Sequence, residues 1–114
     1  MSECIFCKII NREIPSEIVY ENNEVLAFKD INPVSPVHVI VIPKKHICCA
    51  NMIENEDVEL IGKIFIAIKE VANKLGIAED GYRIINNCGE NAGQTVKHIH
   101  FHLIGGTNLG EKLI

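Results

Sequence analysis

The segment His98-Ile99-His100-Phe101-His102-Leu103 alternates three histidines with three large apolar residues, and this period of two constrains the fold more than any other stretch. Successive side chains of an extended strand point to opposite faces, so the pattern predicts a β-strand buried on one side. Ile99, Phe101 and Leu103 then enter the core, while His98, His100 and His102 share the other face. Neighbouring imidazoles on such a strand are spaced by about 6.6 Å, from a rise of about 3.3 Å per residue.

Three imidazoles on one face suit two kinds of chemistry. Zinc accepts three histidines and a water, although the outer pair on a regular strand lie about 13 Å apart and would have to converge. A neutral imidazole also keeps a nitrogen lone pair at pH 7, and with it can attack phosphorus without an activating base. The other two histidines, His38 and His46, flank the apolar stretch 37–43, so all five histidines fall in two places. A glycine-bearing loop, residues 89–95, runs directly into the histidine strand. The amides of Gly93, Gln94 and Thr95 suit the non-bridging oxygens of a phosphate. The Thr95 hydroxyl is the nearest proton donor for a leaving group.

The remaining pattern predicts an α+β fold. Residues 5–10 read as a short helix ending before Pro15. Residues 18–20 and 25–28 read as strands joined at Asn22-Asn23, and residues 37–42 as a strand ended by Pro43. A long helix is expected from an N-cap at Asn55, with Glu56 and Asp57 in its first turn. Its core stripe is Val58, Ile61, Phe65, Ile68, Ala72 and Leu75, widened by Leu60, Ile64 and Val71. Gly76 suits the left-handed position after its last turn. Strands over 81–87 and 96–104 complete an antiparallel sheet of about five strands, with one long helix and one short N-terminal helix.

With 114 residues, 47% of them hydrophobic, the chain can bury one core as a single domain over residues 1–114. A net charge of −4 with scattered bases argues against a nucleic-acid or membrane-surface partner. No run approaches the ~18 apolar residues of a membrane-spanning helix, and a cytoplasmic location is expected. Five cysteines, an odd number, exclude a complete disulfide framework within one chain. Cys4 and Cys7 form C-x-x-C, a spacing that suggests metal or redox chemistry; Cys48, Cys49 and Cys88 are expected to pack.

The stretch from Gly93 through Gln94, Thr95 and the three histidines to Ile104 resembles the signature of the histidine-triad (HIT) family of nucleotide hydrolases and transferases. So do residues 37–46, 28–33 and 5–10, in matching order along nearly the whole chain; the Gly105-Gly106 pair resembles the nucleoside phosphoramidase-like branch. The resemblance implies that His100 is the nucleophile toward an α-phosphate, forming a covalent nucleotidyl intermediate that water hydrolyses to the monophosphate. It implies that His102 and His38 support His100 and that Asp30 holds the ribose. Phe6, Ile9, Phe28 and Ile31 would form the base cleft, with Asn87, Gly93, Gln94 and Thr95 at the phosphate. Many bacterial-type members hold a structural zinc, which implies Cys4, Cys7, His46 and His98 as ligands and no catalytic metal. Homodimers joined across the long helix and strand 81–87 are implied too, with a purine nucleotide conjugate as substrate. Two alternatives stay open: a dinucleoside polyphosphate hydrolase, since residues 94–97 also resemble that branch, and a nucleotide-binding regulatory module.

Overall fold

The computed structural model describes residues 4–114. Its elements are α1 (Ile5–Ile10), β1 (Ile18–Glu21), β2 (Val25–Lys29), β3 (Val37–Pro43), α2 (Val58–Lys74), β4 (Tyr82–Ile85) and β5 (Phe101–Gly105). The strands form one antiparallel sheet in the order β1-β2-β3-β5-β4, the α+β arrangement that the sequence pattern predicts. Asn22 makes the first turn: its Oδ1 accepts the amides of Glu24 and Val25, each at 2.8 Å, which closes β1 onto β2.

The central strands β2 and β3 are apolar over Val25–Phe28 and Val39–Pro43 because both of their faces are covered there. On one side Val25, Ala27, Val39 and Val41 pack with Ile64, Ile68 and Val71 of α2 and with Ile99, Phe101 and Leu103. On the other, Leu26, Phe28, Ile40 and Ile42 meet Phe6 and Ile9 of α1. Each large side chain enclosed this way contributes about 1.5–3 kcal/mol. The alternation in residues 98–103 thus sends its apolar members under α2 and its histidines toward α1.

Four sequence expectations need correction. The histidine segment is not a strand over 96–104: pairing starts at Phe101, opposite Val41, and residues 96–100 run irregularly. Pro43 explains the loss. It lacks an N–H, so the β3–β5 ladder cannot continue past it. The strand expected over 81–87 is shorter as well, at Tyr82–Ile85.

The long helix also begins differently. Residues Asn55–Asp57 form a tighter 3-10 turn, and Asp57, not Asn55, makes the closing contact. Its buried carboxylate accepts the Glu54 amide at 2.9 Å and pairs with Lys45 at 2.6 Å. Lys45 first, and then the Glu54 amide, hold that carboxyl below its usual range. The buried stripe is centred on Leu60, Ile64, Ala67, Ile68, Val71 and Ala72, and Val58 and Phe65 are exposed at 64% and 46%. Apolar residues surround most of this helix, so periodicity alone admits two stripes; packing on the sheet selects one. At the other end Gly76 takes φ +77, the Gly76 amide bonds Asn73 and the Ile77 amide bonds Ala72, giving the expected left-handed stop. No helix of the described residues is long and apolar enough to cross a membrane.

Candidate active site

Where the strand ladder gives out, the histidines do the hydrogen bonding, and their partners fix which nitrogen carries each proton. The Pro43 carbonyl lies 2.9 Å from His98 Nε2. A carbonyl only accepts, so Nε2 bears the hydrogen and the His98 Nδ1 lone pair is free. That nitrogen faces two thiols, 3.4 Å from Cys4 Sγ and 3.7 Å from Cys7 Sγ.

His100 is held the opposite way. Its Nδ1 lies 2.8 Å from the carbonyl of His98, so Nδ1 donates and Nε2 keeps its lone pair. Asn86 fixes the same residue from behind, its Nδ2 donating to the His100 carbonyl at 2.9 Å. Phe6 sets a ring edge against His100 with centroids 5.1 Å apart and touches Phe28 at 5.6 Å. His100 is buried.

His102 and His38 form a relay. The Val34 amide donates to His38 Nδ1 at 3.1 Å, so His38 carries its hydrogen on Nε2. Through that hydrogen His38 Nε2 donates to His102 Nδ1 at 2.9 Å, and Asp30 Oδ2 lies 3.3 Å from the same His38 Nε2. His102 therefore presents Nε2–H outward, 5.2 Å between centroids from His100. Burial, and then repulsion from His100 and His38, holds His102 below its ordinary pKa and so neutral at pH 7.

The loop before these histidines differs in one respect from its expected role. The Gly93 amide donates to the Glu90 carbonyl at 3.0 Å and the Gln94 amide to Gly89 at 3.1 Å. Of the three amides expected to face an anion, two are thus engaged inside the loop. Thr95 is exposed, and its amide has no protein acceptor among the described residues. Phe6, Ile9 and Phe28 are buried side by side in one cluster, Ile31 is 88% exposed on the adjoining loop, and Asn87 is half-buried. Asn86, the Val34 amide and the Pro43 carbonyl are functional contacts that sequence reasoning missed. Only the Asn86-Asn87 pair at the end of a strand hinted at the first.

A second cluster adjoins the first. Sγ of Cys4 and Cys7 and Nδ1 of His46 and His98 all lie within 4.8 Å of one another, with Cys7 Sγ 3.4 Å from His46 Nδ1. In a tetrahedral zinc site with bonds of about 2.0–2.3 Å, donor atoms are separated by roughly 3.3–3.8 Å. The observed sulfur–nitrogen distances fall in that range, and the His98 tautomer already aims its lone pair inward. Two thiols and two imidazoles therefore fit zinc. Cys48, Cys49 and Cys88 are half-buried and, like Cys4 and Cys7, free thiols.

Burial is the main reason that the His98 pKa falls to about 4. The folded value lies below the ordinary one near 6.5, so the unfolded chain binds more protons between them. In zinc-stripped protein the contribution is present above about pH 6.5 and is lost as pH falls toward about 4, a change of roughly 3 kcal/mol. Urea midpoints of chelated protein across that window check it; a flat profile would refute the buried neutral imidazole.

Comparison with known proteins gives relatives in sequence and in structure. Residues 11–109 match the HIT domain family. The purine nucleoside phosphoramidase of Escherichia coli (strain K12) is 47% identical over 97% of this chain and 93% of its own length. A solved HIT family hydrolase from Clostridium thermocellum superposes with a TM-score of 0.98 at 52% identity, covering 100% of this chain and 99% of the other. A histidine triad protein from Clostridium difficile gives 0.95 at 45%, covering 98% and 97%.

Proposed function

The chain belongs to the HIT family and is a hydrolase of that type, and from this premise we propose that it cleaves nucleoside 5′-phosphoramidates. Purine, and adenosine above all, is the base we assign, in view of the phosphoramidase named above. The observation that carries the reading is the His100–His98 hydrogen bond, which leaves the Nε2 lone pair free.

In this mechanism His100 Nε2 attacks the α-phosphorus, the P–N bond breaks, and the amine leaves with a proton. The Thr95 hydroxyl and the His102 Nε2–H are the donors within the site. A covalent nucleotidyl-histidine forms and water then releases the monophosphate. His38 holds His102 in the tautomer that keeps Nε2–H outward, and Asp30 both steadies His38 and takes the ribose hydroxyls. Phe6, Ile9, Phe28 and Ile31 hold the base, while Asn87 and Thr95 meet the phosphate, Thr95 being carried at the end of the loop through Gly93 and Gln94. Comparing adenosine phosphoramidate with a diadenosine polyphosphate tests the leaving group. Faster turnover of the amine conjugate is expected, and preference for the polyphosphate would overturn the assignment.

Cys4, Cys7, His46 and His98 would hold a structural zinc. It would cross-link the N-terminal segment to residues 46 and 98 without entering the reaction. The five thiols free of disulfides suit a cytoplasmic enzyme. We also infer a homodimer, supported by the exposed Val58, Phe65 and Ile66 on α2 and by the unpaired outer edge of β4. Phe65→Glu places a charge on that face and is expected to halve the mass in sedimentation. A dimer that survives the change would place the interface elsewhere.

A further inference from the structure

Gln94 lies in the loop beside the histidines, yet its side chain is buried. Its Oε1 accepts the Gly89 amide at 2.8 Å. Its Nε2 donates to the carbonyls of Cys48 at 2.8 Å and Val96 at 2.9 Å. These partners allow only one orientation, because turning the amide over would aim oxygen at two carbonyls and nitrogen at an N–H.

Each bond has a mechanical consequence. Backbone and side chain of Gln94 both return to Gly89, so the loop is closed twice at the same point. The bond to Val96 spans Thr95 and fixes the peptides on either side of it. The bond to Cys48 ties the loop to the segment whose Ile47 carbonyl accepts the Ile99 amide at 2.6 Å, between His98 and His100. Thr95 is left as the exposed residue at the crest of a braced turn.

We propose that Gln94 is a positioning residue for the phosphate-binding step: its side-chain amide holds Thr95 so that the Thr95 amide and hydroxyl face the phosphate. This rests on the reading that the loop receives phosphate. Gln94 touches no substrate atom and acts through Thr95. Gln94→Met keeps the length of the side chain and removes all three bonds. Gln94→Glu keeps the acceptor for Gly89 and sets an oxygen against two carbonyls, so it is the more damaging change despite its similar shape.

The test measures kcat and KM for adenosine 5′-phosphoramidate, together with calorimetric affinities for adenosine and AMP. Gln94→Met is expected to lower kcat by about ten- to a hundredfold, the scale on which small misplacement of a contact acts. AMP affinity falls and adenosine affinity does not. Thr95→Ala, costly in the wild type, costs much less in the Gln94→Met background. Equal loss for adenosine and AMP, additive effects of the two changes, or a loss that tracks the folded fraction would each overturn the proposal. Should Gln94→Met fail to fold, Gln94→Asn, which retains both amide groups one methylene short, undergoes the same measurements. A wild type without His100-dependent turnover would defeat the phosphoramidase reading instead, while the AMP–adenosine comparison still decides for Gln94.

Discussion

Replacing His100 by alanine is expected to reduce kcat/KM for adenosine phosphoramidate by at least about 10³-fold, the usual scale for deleting a nucleophile that its neighbours cannot replace. Neither neighbour can substitute, for a reason of proton placement. His98 turns its lone pair to the thiols, and His102 turns its own to His38. Only His100 offers an unprotonated nitrogen to the site. His102→Ala removes a supporting hydrogen bond rather than the attacking atom, and a loss of about 10²-fold is expected. Mass spectrometry of acid-quenched wild type should detect a nucleotidyl adduct on His100. Wild-type turnover in the His100→Ala protein would end the nucleophile assignment.

Loss of the thiol–imidazole cluster is expected to have the largest effect on stability. A zinc that binds only the folded chain stabilises it by about 4 kcal/mol when free metal stands a thousandfold above Kd. For a chain of this size that is roughly 15 °C in Tm. Chelation, Cys4→Ser or Cys7→Ser should each lower Tm by that order, and metal analysis should find one zinc per chain in the wild type alone. The ligands come from three separated places in the chain: the start of α1, the loop after β3 and the segment before β5. Without the metal α1 is held chiefly by Phe6 and Ile9. Purified native protein that contains no zinc would refute the site.

The sequence conveyed the fold well where a face is dictated by burial. Ile99, Phe101 and Leu103 were legible as core residues even though only the last two lie in β5, because any extended backbone alternates its side chains. The start of β5 was not legible: it depends on the missing N–H of Pro43, in a strand far away in the chain. The helix stripe was legible except at Val58 and Phe65, which satisfy the helical period as well as Leu60 and Ile64 do, and only the sheet chooses. Within the site, the residue types and their places were legible. The division of labour among His98, His100 and His102 was implied by the family resemblance alone; the residue pattern does not carry it, because the tautomers depend on the carbonyls of Pro43 and of His98 itself, which no side-chain pattern records.

His98 belongs to two neighbourhoods through different atoms, its ring among the thiols and its carbonyl under His100. The carbonyl is common to every amino acid. Any residue placed at position 98 retains the acceptor that sets the His100 tautomer, so the side chain facing the thiols can be varied without removing that hydrogen bond. Drift in the cluster and drift at His100 are thereby uncoupled at the level of the gene, although the two lie two residues apart.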